Sequence, residues 1–455
     1  MAQPLLCLPH LSSHPPRPAP GRPPRIVAVR PASPYPRTCL LALAVAVAAA
    51  CVGSGSGSNP NNQPPEFSAT GLTLSASVLM PEGSVTVSSQ ATDPDGDPLT
   101  YTWAEATGGG TFEAAATGDA CTWHAPSAEG VYEVRVTARD PAGHTAVLAS
   151  TVEVTTTLHV PSESYPTIQS ALDAAQTGMT VAVAAGIYTE DLTVKEAVHL
   201  QGAGAATTVV HGTGTDAVLA PEFSSAAGII VEGLTLEGGS TGVDVSAAAD
   251  FTLRDCVVRD NSTSGIALFS APARIENCRI TGNSGNGIEI RSSAATVQGC
   301  VIADNAGYGV EITTSGATLR FTTIADNVGA GIRIYQSNAT LRDSIVAAND
   351  LLNFNAVTLL GASGVSIANA QPLLSHLLLF HNQLNIDATQ VNGDAVVVDG
   401  SYVTGDGGEL SGNGDPLLAD DGSYTLGASS PALTLATGGG ELGAYGGGFA
   451  PPLAP

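Results

Sequence analysis

Residues able to do chemistry together stand in two series spaced by 22 positions: Ala267, Glu289, Glu311, Arg333 and, two residues along, Phe269, Arg291, Thr313, Tyr335. If each interval is one turn of a stacked structure, Glu289 and Glu311 lie about 4.8 Å apart. Carboxylates that close repel each other, which can raise a pKa or hold a cation. The separation is also near the roughly 5–5.5 Å between the two carboxyl groups of retaining glycosidases. In-register stacking, however, imposes the same distance on any column. Arg291 and Arg333 supply neutralising partners, so a surface ion-pair network is the plainer account. Phe269 and Tyr335 could stack on sugar rings, although single exposed aromatics are common. Glu289, Arg291, Glu311, Arg333, Tyr335 and Phe269 are therefore the candidate carbohydrate-binding residues, and none of them is assigned a catalytic role.

Other candidates are thinner. Asp93, Asp95 and Asp97 in DPDGD could converge on calcium, the one cofactor considered, since hard cations take several oxygens. Without a downstream Glu, an acidic turn explains them better. His376 and His381 flank an apolar run and lack further ligands nearby. Lys195 is the only lysine, which limits the available bases. Cys256, Cys278 and Cys300 share one column with Thr322 and Ser344, which implies selection for small residues. Parallel in-register neighbours are also poorly placed for a disulfide.

The elements that carry these residues form a repeat. DFTLRDCVVRDNSTSGIALFSAP (250–272) is followed by ARIENCRITGNSGNGIEIRSSA, ATVQGCVIADNAGYGVEITTSG and ATLRFTTIADNVGAGIRIYQSN. Apolar columns run through Leu253, Ile275, Val297, Leu319 and Leu341, through Val258, Ile280, Ile302, Ile324 and Val346, and through Ile266, Ile288, Val310 and Ile332. Three short apolar patches per period mean three short strands. A 22-residue unit cannot bury its own apolar face, so it must stack on its neighbours. Asn261, Asn283, Asn305, Asn327 and Asn349 predict an inward amide ladder at one bend. Gly265, Gly287, Gly309 and Gly331 mark another bend, where a positive φ is expected. The period breaks after Asn349, the next comparable Asn being 382, so that coil carries an insertion.

Upstream, Val85–Val87, Leu99–Trp103 and Tyr132–Val136 alternate at period two between Gly, Pro and Asp clusters. They predict an antiparallel sandwich over 65–156 with Trp103 at its centre and Cys121 as a buried thiol. ATDPDGDPLTYTW (91–103) with GVYEVRVTARDPAGHTA (130–146) resembles polycystic-kidney-disease-type or cadherin-like immunoglobulin-fold domains, and that resemblance implies a spacer or adhesive module. Arg30 and Arg37 precede the apolar run Leu40–Ala50, which is too short to span a membrane but suits a signal-peptide core. Ala48–Ala50, Cys51 and GSGSGSNPNNQPP resemble a bacterial lipoprotein signal and tether, with Ala48 where that family usually has Leu. Cleavage without lipidation is the alternative. The Pro-rich stretch before residue 25 is a poor leader and points to a start downstream of Met1.

The expected organisation is all-β: signal peptide 1–50, lipidated Cys51 with tether 51–64, immunoglobulin-like β-sandwich 65–156, and a right-handed parallel β-helix over 158–455. YPTIQSALDAAQTGMTVAVAAGIYTEDLTVKEAVHLQGAG (165–204) resembles the opening of pectate-lyase-like β-helices, where a short helix (here Ile168, Leu172, Ala175) plugs the first coil. DPLLADDGSYTLGASSPALTL resembles their closing segment. That superfamily includes polysaccharide lyases, glycosidases, epimerases and non-catalytic adhesins. No Gly-His-Gly of the glycosidases occurs, and Lys195 lies in the opening coils, so neither catalytic signature is present.

Charge narrows the partners. Five of the 16 basic residues lie in 1–50, which holds no acid, so 11 face all 41 acids from Cys51 onward, a formal net charge of −30. Such a surface repels nucleic acid and anionic headgroups. The expectation is an exported monomer on the outer membrane or cell surface, held there only by a lipid; a secreted or periplasmic protein is the alternative. It would present its β-helix to polysaccharide or cell-surface glycan without catalysis. An enzyme acting on polysaccharide at the outer face is the competing reading.

Overall fold

The computed structural model describes residues 62–113, 118–195, 197–222, 228–246, 250–347 and 349, and as backbone alone the strands 363–368, 373–380, 384–390, 398–399 and 402–403. The expected signal peptide, Cys51, the start of the tether, His381 and the closing segment fall outside the described residues. His376 is described only as strand backbone.

Eight strands build the sandwich: β1 (Glu66–Leu74), β2 (Val78–Leu79), β3 (Ser84–Thr92), β4 (Thr100–Glu105), β5 (Thr111–Phe112), β6 (Ala120–His124), β7 (Gly130–Arg139) and β8 (Thr145–Val154). One sheet runs β1-β3-β6-β5 and the other β2-β8-β7-β4. Alternation turns Val85 and Val87 of one sheet toward Val134, Val136 and Val152 of the other. The centre is not Trp103, as the sequence pattern implied. Trp123 is fully buried and packs on Tyr132 at 5.9 Å, while Trp103 uses its indole N–H on the Gly118 carbonyl at 2.9 Å. Gly110 leaves the room for it, because a Cβ there would meet the Trp123 ring at 2.2 Å. Cys121 is half-buried rather than buried, and desolvation pushes its thiol up to about 11.

Two residues separate β8 from the solenoid's first strand, Thr157–Val160. Val78 of the sandwich belongs to the solenoid's apolar core, and Met80 packs against it. Gln176 clamps the same strand end, donating from Nε2 to the Val78 carbonyl at 2.8 Å and accepting at Oε1 from the Met80 N–H at 3.4 Å. Helix α1 (Ile168–Ala174), started by a Thr167/Ser170 capping box, buries Ile168, Ala171 and Leu172 over the opening coil. Among the described residues no helix is long and apolar enough to cross a membrane.

From there the chain winds as a parallel solenoid with three strands per coil, such as Ala273–Glu276, Arg279–Thr281 and Ile288–Arg291. Each pairs in register with its counterparts 22 residues away, as in Ile275↔Val297, Ile280↔Ile302 and Ile288↔Val310. The inward columns close one continuous core. The Asn ladder is present: Nδ2 of Asn261, Asn283, Asn305 and Asn327 donates to Oδ1 of the next at 2.9–3.0 Å. Each of those acceptors also takes a backbone N–H from the coil before at 3.1 Å. The repeat slips where expected, Thr340 pairing with Leu373 across the enlarged coil.

One expectation changes at the corners. Gly265, Gly287 and Gly309 do not have positive φ. They are glycine because of crowding: a Cβ on Gly287 would stand 2.5 Å from Ile302 Cγ2 and 2.6 Å from the Gly309 carbonyl oxygen. The left-handed positions are instead columns at other turns, Asp255 with Asn277 and Gly299, and Asp260 with Gly282, Asp304 and Asp326. The column Cys256, Cys278, Cys300 is made of free buried thiols. Burial pushes Cys256 up to about 12 and raises Cys278 as well.

A candidate binding face on the third sheet

The third strands of successive coils, Ile266–Phe269, Ile288–Arg291, Val310–Thr313 and Ile332–Tyr335, turn their even-spaced apolar residues inward. What remains faces out, in register: Ala267↔Glu289↔Glu311↔Arg333 and Phe269↔Arg291↔Thr313↔Tyr335. The structure therefore brings together all six candidate residues on one face.

Their charges are already matched. Arg291 pairs with Glu289 and reaches Glu311 at 3.9 Å, while Arg333 pairs with the other oxygen of Glu311. Glu311 is 8% exposed, unusually buried for a carboxylate on an outer face. Burial raises the Glu289 pKa above the ordinary carboxylate value, and Glu311 adds to this against the pull of Arg291. The arginines also cover aromatic rings. The Arg291 guanidinium lies 5.5 Å from the Phe269 centroid, and that of Arg333 lies 5.6 Å from Tyr308 and 5.5 Å from Tyr335. Cation–π contact and ion pairing together hold each planar group in one orientation.

Two members of the face are absent from the strand columns. Asn286 donates from Nδ2 to Glu311 Oε2 at 3.0 Å and accepts the Tyr308 N–H at 2.8 Å. Tyr308 forms the second ring beside Arg333. Both sit in the turn column Ser264, Asn286, Tyr308, Ala330, whose 22-residue spacing was the available signal. Since its residue types share no chemistry, that column does not stand out.

The remaining candidates disperse. Asp93 Oδ1 accepts from the N–H groups of Asp95 and Asp97, at 2.9 and 3.3 Å, and Asp95 Oδ2 takes the Gln63 N–H at 2.6 Å. This is an acidic turn bonded to its own backbone. Among the described residues, no three His, Cys, Asp or Glu side chains gather as a metal site. Lys195 bonds Asp173 at 3.1 Å beside the capping helix, away from the face.

Residues 197–351 and 241–415 match the family described as a right handed beta helix region, and residues 71–156 match the PKD domain. No curated protein matches the chain. Among solved structures, an alginate lyase from Paenibacillus sp. str. FPU-7 is 14% identical over 53% of this chain and 97% of its own, with a TM-score of 0.39. A mannuronan C-5 epimerase A-module from Azotobacter vinelandii is 18% identical over 51% and 93%, with a TM-score of 0.31. A pectate lyase is 12% identical over 60% and 89%, with a TM-score of 0.35. Such distant likeness says nothing about chemistry.

Proposed function

We propose that this chain, a right-handed β-helix joined to a PKD domain, is an exported envelope protein that binds uncharged segments of polysaccharide on the outer face of its third sheet without cleaving them. The observation that carries this reading is the matched set Glu289–Arg291 and Glu311–Arg333 flanked by Phe269, Tyr308 and Tyr335. Two acids and two bases cancel, so the face offers fixed donors, acceptors and ring edges with no net charge to attract a polyanion. Fixed polar groups beside apolar ring surface suit a polyol whose hydroxyls need partners and whose ring faces are apolar.

Catalysis needs a carboxyl group free to give or take a proton, and a second free to attack or to activate water. Raised Glu289 is the one observation that favours an enzyme. Against it, Glu311 is held by Arg333 and Asn286 and is nearly buried. Export and a lipid on Cys51 complete the proposal and rest on the leader-like residues 40–51.

The test is retention of the chain on immobilised neutral and acidic polysaccharides, with and without calcium, alongside product analysis. Neutral glycan should retain the protein without turnover, and Arg333→Ala or Tyr335→Ala should weaken retention at least about tenfold, about 1.4 kcal/mol. Shortened or unsaturated products that vanish in the Arg291→Ala/Arg333→Ala protein would refute the non-catalytic reading. A Cys51→Ala protein that stays in the membrane fraction would refute the anchor.

A further inference from the structure

The first strands of three successive coils, Thr296–Gln298, Thr318–Arg320 and the start of Thr340–Ala347, turn Val297, Leu319 and Leu341 inward. Their outer face carries two columns in register, Thr296↔Thr318↔Thr340 and Gln298↔Arg320↔Arg342. Arg320 and Arg342 are therefore neighbours one coil apart, roughly 4.8 Å between strands. Like charges at that spacing repel. Elsewhere on the solenoid Arg254 sits on Glu232, Arg259 on Glu237, Arg274 on Asp250, Arg291 on Glu289 and Arg333 on Glu311. Arg320 and Arg342 have no ion-pair partner among the described residues, and the Nε–H of each has no acceptor among them. Earlier in their own column the signs alternate, Glu232↔Arg254↔Glu276, so the fold accepts a carboxylate beside an arginine there.

The bend that follows these strands departs from its own pattern at the same place. Asp255, Asn277, Gly299, Phe321 and Asp343 succeed one another at 22-residue intervals, all with positive φ. Asp, Asn and Gly tolerate the left-handed region, whereas a bulky side chain there is strained. Phe321 holds a φ of 48°, and its ring lies 5.2 Å from the Arg320 guanidinium. A residue that strains the backbone and fixes a cation is accounted for by what that cation binds.

We propose that Arg320 and Arg342, with the Thr318 and Thr340 hydroxyls beside them, bind a single tetrahedral oxyanion, a phosphate or sulfate ester group. Two guanidinium forks offer more donors than the paired oxygens of one carboxylate can take, whereas a tetrahedral ester presents a third acceptor oxygen. The chain's formal net charge of −25 opposes an extended polyanion, so recognition is of one charged group. The site lies on the first sheet and does not rest on the reading of the third-sheet face.

Calorimetric titration of the full chain at low ionic strength with inorganic sulfate, inorganic phosphate and acetate tests this. Sulfate and phosphate should saturate one site, each at least about tenfold more tightly than acetate. Whichever of the two binds more tightly identifies the ester. Arg320→Gln and Arg342→Gln, which repeat the glutamine already in this column at Gln298, should each weaken sulfate binding at least about tenfold. Arg274→Gln, on the same sheet but paired with Asp250, should leave it within about twofold. Phe321→Asn carries a separate signature. It should raise the melting temperature by easing the left-handed backbone and yet weaken sulfate binding at least about threefold. Acetate bound as tightly as sulfate, no saturable binding, equal losses at Arg274 and Arg320, or a stabilised Phe321→Asn protein with its sulfate affinity intact would overturn the site.

Discussion

At the scale of single residues, the third-sheet face turns on how Glu289 balances burial against Arg291. Its folded pKa is raised, so protonation favours the fold. That contribution is complete below the unfolded pKa and is lost as pH rises through the folded one. Glu289→Gln removes the charge that is costly at neutral pH and little else at acid pH. The difference in melting temperature, variant minus native, should therefore grow as pH is raised from below the carboxylate range to neutrality. A difference that stays flat across that range would show that burial does not govern Glu289. All six residues of this face were legible from a 22-residue alignment, because in-register strands convert sequence spacing directly into contact. Asn286 and Tyr308 were not legible, since a turn column is held by backbone geometry and tolerates unrelated side chains. Trp103 is buried in the sandwich core as its alternation implies, but alternation identifies an inward face and not its deepest point, which is Trp123.

At the scale of the coil, the ladder and the corner glycines are where the repeat is least forgiving. Asn305→Leu would leave the buried Asn283 N–H and Asn283 Nδ2 without the oxygen that accepts both, at 3.1 and 2.9 Å. The expected loss is about 1–3 kcal/mol by chemical denaturation, the cost of one buried unpaired donor, because Nδ2 keeps the Val258 and Thr281 carbonyls as acceptors while the N–H does not. Cys278→Ser should stay within about 1 kcal/mol of native. Ser344 already occupies that column, its hydroxyl donating to the Arg342 carbonyl at 2.9 Å. Gly287→Ala should cost about 1–3 kcal/mol through overpacking against Ile302 and the Gly309 carbonyl. A Gly287→Ala protein as stable as native would mean the corner relaxes freely. The sequence pattern located this corner correctly and misassigned its cause, since a glycine column looks the same whether it answers to φ or to crowding. A further inward set, Ser293, Ser315 and Ser337, bonds coil to coil as the Asn ladder does, with Ser315 N–H on Ser337 Oγ at 2.9 Å. Serine is common in turns, so that column does not stand out in the sequence.

At the scale of the whole molecule, the sandwich and the solenoid share apolar core through Val78 and share hydrogen bonds through Gln176. Heating should accordingly melt both in one calorimetric transition. Gln176→Ala combined with Val78→Asp should separate it into two, because the pair removes the clamp and puts a charge into the shared core. Two transitions in the unaltered chain would show that the domains are thermally independent.

That two-residue joint also has a mechanical meaning. A connection without slack passes torque, so tilting the sandwich tilts the solenoid by the same angle. The direction in which the third-sheet face looks is then fixed relative to the sandwich. Fluorescence anisotropy decay from a dye on the sandwich should report the tumbling time of the sandwich and solenoid together. In the Gln176→Ala/Val78→Asp protein it should fall toward that of a domain one quarter the size.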